Sequence, residues 1–509
     1  MLGQCLSITD EKGKRHSYLT ALEQVPNSAH VPAIEATKEV LLDFGILELL
    51  EKGFISLNSD YGLHSAALKM TWNTAVDPNH SIDRLLKRTM KEIPEEYSPM
   101  IQEQFEKTIV FARSAKHCLS KKVLKKESAE LLPSLNCFLQ SKSMKPIPTW
   151  TEVRFRSLAN VVDSISNAKD VLNELEMAEN NPNQRFINSM PCFRFIVPLQ
   201  DMIQNAFMPV INYADSQQYQ QNGDMIAIYE SLLNWACIPS DTNNYSIEIK
   251  KCLVSAVMEQ ITGGQFVFNN QVKTSMVKKR LVPNELAAMY GCPPRRNCRL
   301  EKIRFILKKG GFKDEAEMIL QFVDRENLKA QAIDQIKLYD SILNSEQQNV
   351  YDVESPRHSG TESSELSDEE PTSRPRSGAR LVRDSMDDEL KRYEAESGEC
   401  SYENFKCFAK EMNWDFRKSA QGFIQQNEYL MTYWKSKKAN FPKLSKIMLF
   451  VLRTPCSSSP LERFFSSITL HTSDHAANRT VEYIEQINQI SPKNDQFLTV
   501  MNELYAKYK

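Results

Sequence analysis

No two cysteines in this chain are spaced C-x-x-C, and the 11 that occur are an odd number scattered along 509 residues. That usage excludes a disulfide framework and reads as reduced thiols of the cytosol or nucleus. Cys292 and Cys298 are the closest pair, but no His or Cys ligands follow them at zinc-finger spacing. An excess of one charge is also missing: 63 basic residues face 65 acidic ones, for a net charge of −2. Nucleic-acid binding therefore cannot rest on global charge and would need a local patch. No run approaches the ~18 apolar residues of a membrane span. The opening stretch MLGQCLSITDEKGKR has no apolar core of a signal peptide. Together these absences lead us to expect a soluble intracellular protein that does not contact membrane.

What is present supports sizeable cores. Hydrophobic residues make up 41% of the chain, and its length suggests two or three units. Residues 1–76 have α/β texture. SYLTALEQV and GFISLNSD read as strands, and AIEATKEVLLDFGILELLEK as an amphipathic helix. From 77 to 345 the apolar spacing turns helical, as in SPMIQEQFEKTIVFARSAKHCL, RSLANVVDSISNAKDVLNELEMAE and DEAEMILQFVDRENLKAQAIDQIKLYDSIL. Residues 346–395 are poor in large apolar side chains and rich in Ser, Glu, Asp, Pro and Arg, which predicts a disordered acidic linker. A helical return segment over 396–439 and a C-terminal block over 440–509 complete the chain.

Within that block, TPCSSSPLERFFSS (454–467) places one glutamate among aromatics. Locally, Ser459 fits an N-cap, Pro460 the first helical position, and Glu462 the returning arm of a capping box. Upstream, FPKLSKIMLFVL offers Phe441, Leu444, Met448 and Val451 at helical spacing. An apolar helix of this kind is either buried within the chain or sits at an interface. Trp434 precedes it. We take these five residues as candidates for dimerisation.

The long ordered run YWKSKKANFPKLSKIMLFVLRTPCSSSPLERFFSS resembles the C-terminal signature of hAT-superfamily transposases. Trp434, Phe441-Pro442-Lys443-Leu444-Ser445, Thr454-Pro455, Ser457-Ser458 and Glu462-Arg463 stand at the signature positions. The resemblance implies an RNase H-like core split by a large helical insertion domain, an α/β plus all-α architecture. It makes Glu462 the last acid of a D-D-E metal site, a role compatible with capping. ISLNSDYGLHSAAL resembles the strand end carrying the second acid, at Asp60. Where the family has C-x-x-H, this chain has Asp77-Pro78-Asn79-His80. VRFRSLANVVDSI resembles the family's TRWNS segment, keeping Arg154 and Ser157 and placing Phe155 at the tryptophan. Phe155 there reads either as a base-stacking ring or as a core residue. CLSITDEKGKRHSYL resembles the stretch of the first acid and puts Leu6 at that position. The family's BED-type zinc finger has no matching pattern in this sequence.

A D-D-E site uses carboxylates to hold two divalent ions, one activating water and the other stabilising the leaving oxygen. Oxygen ligands of this kind suit Mg²⁺ or Mn²⁺. Leu6 cannot coordinate a metal. Asp10, four residues along, lies about 13 Å further on by strand rise. We therefore expect no cofactor and no catalysis, with Asp60 and Glu462 as vestiges; Mg²⁺ or Mn²⁺ would enter only if another acid completed the site. Residues 273–313 hold twelve basic residues against Glu285 and Glu301. Lys278, Lys279, Arg280, Arg295, Arg296 and Arg299, with Arg154 and Phe155, are the DNA-contact candidates. VKKRL also reads as a nuclear import signal, and a solvated helix face is the plain alternative. The expectation is a nuclear, non-catalytic transposase-like protein that associates with itself or a related hAT-like chain and contacts DNA. The competing readings are a metal-dependent strand-transferase or nuclease, and a protein scaffold without nucleic-acid contact.

Overall fold

The computed structural model describes residues 2–9, 15–23, 30–43, 45, 47–51, 57–59, 74–116, 134–150, 155–177, 189–214, 224–239, 242–275, 283–291, 298–351, 385–396 and 430–453. These are mostly helical. Strand β1 (Leu2–Thr9) pairs antiparallel with β2 (Arg15–Glu23), with Leu6 opposite Tyr18. Helices α1 (His30–Asp43) and α2 (Leu47–Glu51) follow. Strand β3 (Leu57–Ser59) stops one residue before Asp60 and pairs in parallel with β4 (Thr74–Val76). Among the described residues these pairs do not join into one sheet, so the expected RNase H-like core is not established here.

Beyond β4 the chain turns helical because the sequence caps and breaks itself repeatedly. Helix α3 (Pro78–Lys87) starts on Asp77, which is fully buried; its Oδ1 accepts from the backbone N–H of Asn79 at 2.7 Å and of His80 at 3.3 Å. Asp77, standing where the resemblance implies cysteine, is thus an N-cap with proline at the first helical position. A π-helical stretch (Arg88–Glu92) then leads into α4 (Ile93–Tyr97), and a second one (Ile203–Phe207) joins α9 (Phe193–Met202) to α10 (Met208–Ala214). Each stretch ends two residues before a proline, Pro94 and Pro209. A proline cannot donate to the carbonyl four residues back and its ring crowds that carbonyl, so a widened turn accommodates it.

Between these lie α5 (Pro99–Ala115), α6 (Leu135–Ser141), α7 (Phe155–Asn167) and α8 (Lys169–Met177). Helix α11 (Asp224–Ala236) packs on α12 (Asn244–Thr262), the centre of the body. From Ile249 to Thr262 only Lys251 escapes burial, and a helix apolar nearly all round must lie inside a core. The polar groups of α12 are held accordingly. Ser255 donates to the Val267 carbonyl at 2.7 Å and Lys250 to the Ile238 carbonyl at 2.8 Å. Glu259, 1% exposed, receives Arg88 Nε at 2.7 Å and Nη2 at 3.0 Å, while Arg88 Nη1 reaches Glu92 at 3.0 Å. Burial works against the guanidinium charge, but these carboxylates outweigh it and raise the Arg88 pKa.

The stretch expected to be wholly helical contains a hairpin. Strands β5 (Gln265–Phe268) and β6 (Gln271–Thr274) are joined by Asn269-Asn270, with φ of 50° and 59°. Two asparagines tolerate the left-handed conformation a type I′ turn demands. Phe266, Val267 and Phe268 are buried, with the Tyr97 ring edge-on to Phe266 and tilted against Phe268. Helices α13 (Pro283–Tyr290), α14 (Cys298–Lys309), α15 (Lys313–Glu326) and α16 (Leu328–Tyr351) follow. The run read as continuous from Asp314 breaks at Asn327, left-handed at φ 46°.

The linker expected over 346–395 is helical at both ends. Helix α16 runs on to Tyr351, and α17 (Met386–Ala395) starts from a capping box of Ser385 and Asp388. Acidic composition did not prevent helix there, because Leu390 and Tyr393 find a core to enter. Residues 430–436 form α18, a short 3₁₀ turn (Lys437–Ala439) follows, and α19 (Pro442–Arg453) ends the described chain. One hydrophobic core runs from Ile82 to Leu452. Residues 430–453 therefore belong to the helical body, whereas the sequence suggested that the block from 440 completes the strand region.

Replacing Arg88 by Met should destabilise the protein by about 3–5 kcal/mol, because Glu259 stays buried without its partner. The double variant Arg88→Met/Glu259→Met should recover most of that loss in urea denaturation. An equal loss in both would mean that packing, not charge, dominates there.

Candidate functional site

The sequence singled out Trp434, Phe441, Leu444, Met448 and Val451, and the structure brings all five together. Each is at most 1% exposed. They face α13, α16 and α17 of the same chain, so these side chains are core residues rather than a free surface. Trp434 is the anchor: its Nε1–H donates to the Gly291 carbonyl at 2.6 Å. Gly291 ends α13 at a close approach, where an added Cβ would fall 2.1 Å from Met448 Sδ. No larger residue fits without moving Met448.

Aromatic rings surround the indole. Tyr393 is fully buried, 5.2 Å from Trp434 and 6.0 Å from Phe441 between centroids. Its hydroxyl donates to the Tyr290 carbonyl at 3.1 Å. Tyr290 in turn donates to Glu394 Oε1 at 2.8 Å, and Lys329 pairs with the same oxygen at 2.7 Å. Arg392 lies over the Phe441 ring at 5.8 Å. Buried tyrosine and tryptophan need a partner for their polar end, and both find backbone carbonyls of the α13 terminus.

The start of α19 has an unusual cap. Phe441 precedes Pro442 and has no side-chain acceptor to offer the first helical N–H groups. Glu389 of α17 supplies it from outside: Oε1 accepts from Lys443 N–H at 3.2 Å and Oε2 from Leu444 N–H at 2.8 Å. Glu389 is completely buried. An ionised carboxylate at a helix N-terminus gains both charge-assisted hydrogen bonds and the helix dipole. Sequence reasoning missed Glu389, Tyr393 and Gly291. The signal for α17 was present, since Ser385-x-x-Asp388 ahead of Leu390 and Tyr393 spells a capped helix, but nothing local marks Glu389 as buried.

The remaining candidates are not assembled by the described residues. Asp60, Glu462, Arg154, Lys278, Lys279, Arg280, Arg295 and Arg296 lie outside them. Phe155 opens α7 and Arg299 lies in the first turn of α14, with their side chains outside the described residues. Of the basic stretch, Lys308, Lys309 and Lys313 are exposed near an exposed Phe305, whereas Lys273 lies 5.3 Å over the Tyr97 ring. Among the described residues no three His, Cys, Asp or Glu side chains gather into a metal site, and no helix is long and apolar enough to cross a membrane.

Residues 408–503 match the family model for the hAT family C-terminal dimerisation region. Trp434 and α19, the elements locked by Gly291 and Glu389, fall inside that match. The chain thus carries, over 408–503, a region similar to the hAT family C-terminal dimerisation region. No curated protein matches the chain.

Trp434→Phe keeps the ring but removes the donor to Gly291, leaving a buried carbonyl unpaired. It should cost about 1–3 kcal/mol, read as a shift of the urea midpoint.

Proposed function

We propose that this chain is a non-enzymatic, hAT transposase-derived nuclear protein that self-associates through its C-terminal region. The observation that carries the reading is the dimerisation-region match over 408–503, whose described part, 430–453, packs into the core of the helical body. Residues 1–76 with the block after 453 form the RNase H-like core of this reading. Its support is that β3 ends at Ser59, directly before Asp60, in parallel pairing with β4.

The absence of catalysis rests on chemistry. Leu6, in β1 at the position of the first acid, has no atom that can bind a cation. Two remaining carboxylates would hold divalent ions weakly and could not serve both the attacking and the leaving oxygen. Contact with DNA is the accompanying reading, favoured by the twelve basic residues over 273–313 against Glu285 and Glu301. Such contact would act through phosphates and would weaken steeply with salt.

Light scattering of the full chain at micromolar concentration should give twice the monomer mass. A monomer mass across the concentration range would remove self-association from this reading. Incubation with supercoiled plasmid and Mn²⁺ should leave the plasmid intact. Nicking that disappears in both Asp60→Ala and Glu462→Gln would instead establish a metal-dependent nuclease with a further acid.

A further inference from the structure

We propose that α17 is a clip that lets the seated part of the dimerisation region, residues 430–453, dock and undock as one unit while the helical body stays folded. Helix α17 stands between two partners. Toward the body it uses Tyr290, Lys329 and Lys337, the last paired with Asp387 at 2.6 Å. Toward the dimerisation region it uses Glu389 on the α19 N–H groups, and Glu396 on Lys437 at 2.9 Å.

Neither side of this contact holds without the other. Helix α17 has ten residues, below the roughly 12–15 at which isolated helices become even marginal in water. Its order therefore depends on burying Leu390 in the core and Tyr393 against Trp434 and Phe441. Helix α19 depends in turn on Glu389, because its own N-cap position carries phenylalanine. Among the described residues, the hydrogen bonds of the Glu389 carboxylate go to Lys443 and Leu444. Withdrawing α17 uncaps α19 and uncovers Trp434; withdrawing α19 leaves a buried carboxylate unpaired, which is strongly unfavourable. Intermediate states in which one leaves and the other stays are thus penalised, and the two move together.

The body has no such dependence. Helix α12 packs on α3, α9, α11, α15 and β5, and its buried charge is answered by Arg88. Opening of the clip leaves that set intact. Stability distributed in this way produces a cooperative unit that opens below the cost of global unfolding. The clip inference stands apart from self-association: a chain that proved monomeric would test the proposed function and leave this device untouched.

Native-state hydrogen exchange on the full chain tests it. In the unmodified protein, 386–395 and 430–453 should exchange at a common rate, faster than 244–262. In Glu389→Gln, where an amide N–H₂ confronts one of the two N–H donors, exchange in both segments should rise about tenfold or more, with 244–262 unchanged. Lys437→Met, a milder change at a partly exposed pair, should raise the same two segments by less and serves if Glu389→Gln does not fold. Equal protection of all three segments in the unmodified protein would overturn the clip. So would a rise that spreads to 244–262, or one confined to a single segment.

Discussion

The dimerisation region is held by a carboxylate sealed from water. Glu389 has no exposed surface and meets the N-terminus of α19. A charge in that position is tolerable only while both N–H donors stay in place, since burying it unpaired would cost several kcal/mol. The requirement fixes the angle between α17 and α19. It thereby sets the depth of Phe441 and the position of Trp434 against the α13 terminus. Gly291 completes the constraint by leaving room for Met448 where any side chain would collide.

A second buried charge organises the body in the same manner. Arg88 reaches Glu259 of α12 from the start of the first π-helical stretch. The two arrangements share one logic, in which a buried carboxylate on one helix is answered by a neighbouring element. They differ in their partners. Glu259 is answered by a side chain within the body, Glu389 by the backbone of a segment some fifty residues further along the chain. The first binds the body to itself, the second binds a separate functional region to the body.

The described part of the region matched to the hAT dimerisation model lies in the core of this chain. Its apolar stripe from Phe441 to Val451 serves the fold of this chain. Leu449 and Phe450, only partly buried, continue the same helix, with Phe450 against Tyr339 of α16. A stripe of this kind cannot be assigned to a partner or to the chain's own core from spacing alone, because burial satisfies it equally in either place.

How much was legible follows from the range of each interaction. Helical periodicity, the α/β texture before 76 and the C-terminal signature are local, and the sequence by itself determined them. The Asn269-Asn270 turn and the Ser385 capping box were equally local, but the helical and acidic surroundings masked them. What tertiary structure decided is everything that depends on a distant partner. That includes the burial of Glu389, the close approach at Gly291, the pairing of Arg88 with Glu259, and the inward facing of Trp434, Phe441, Leu444, Met448 and Val451. Sequence spacing specifies which side chains share a face, but what the face meets is set by packing between segments more than a hundred residues apart, as with Trp434 and Gly291.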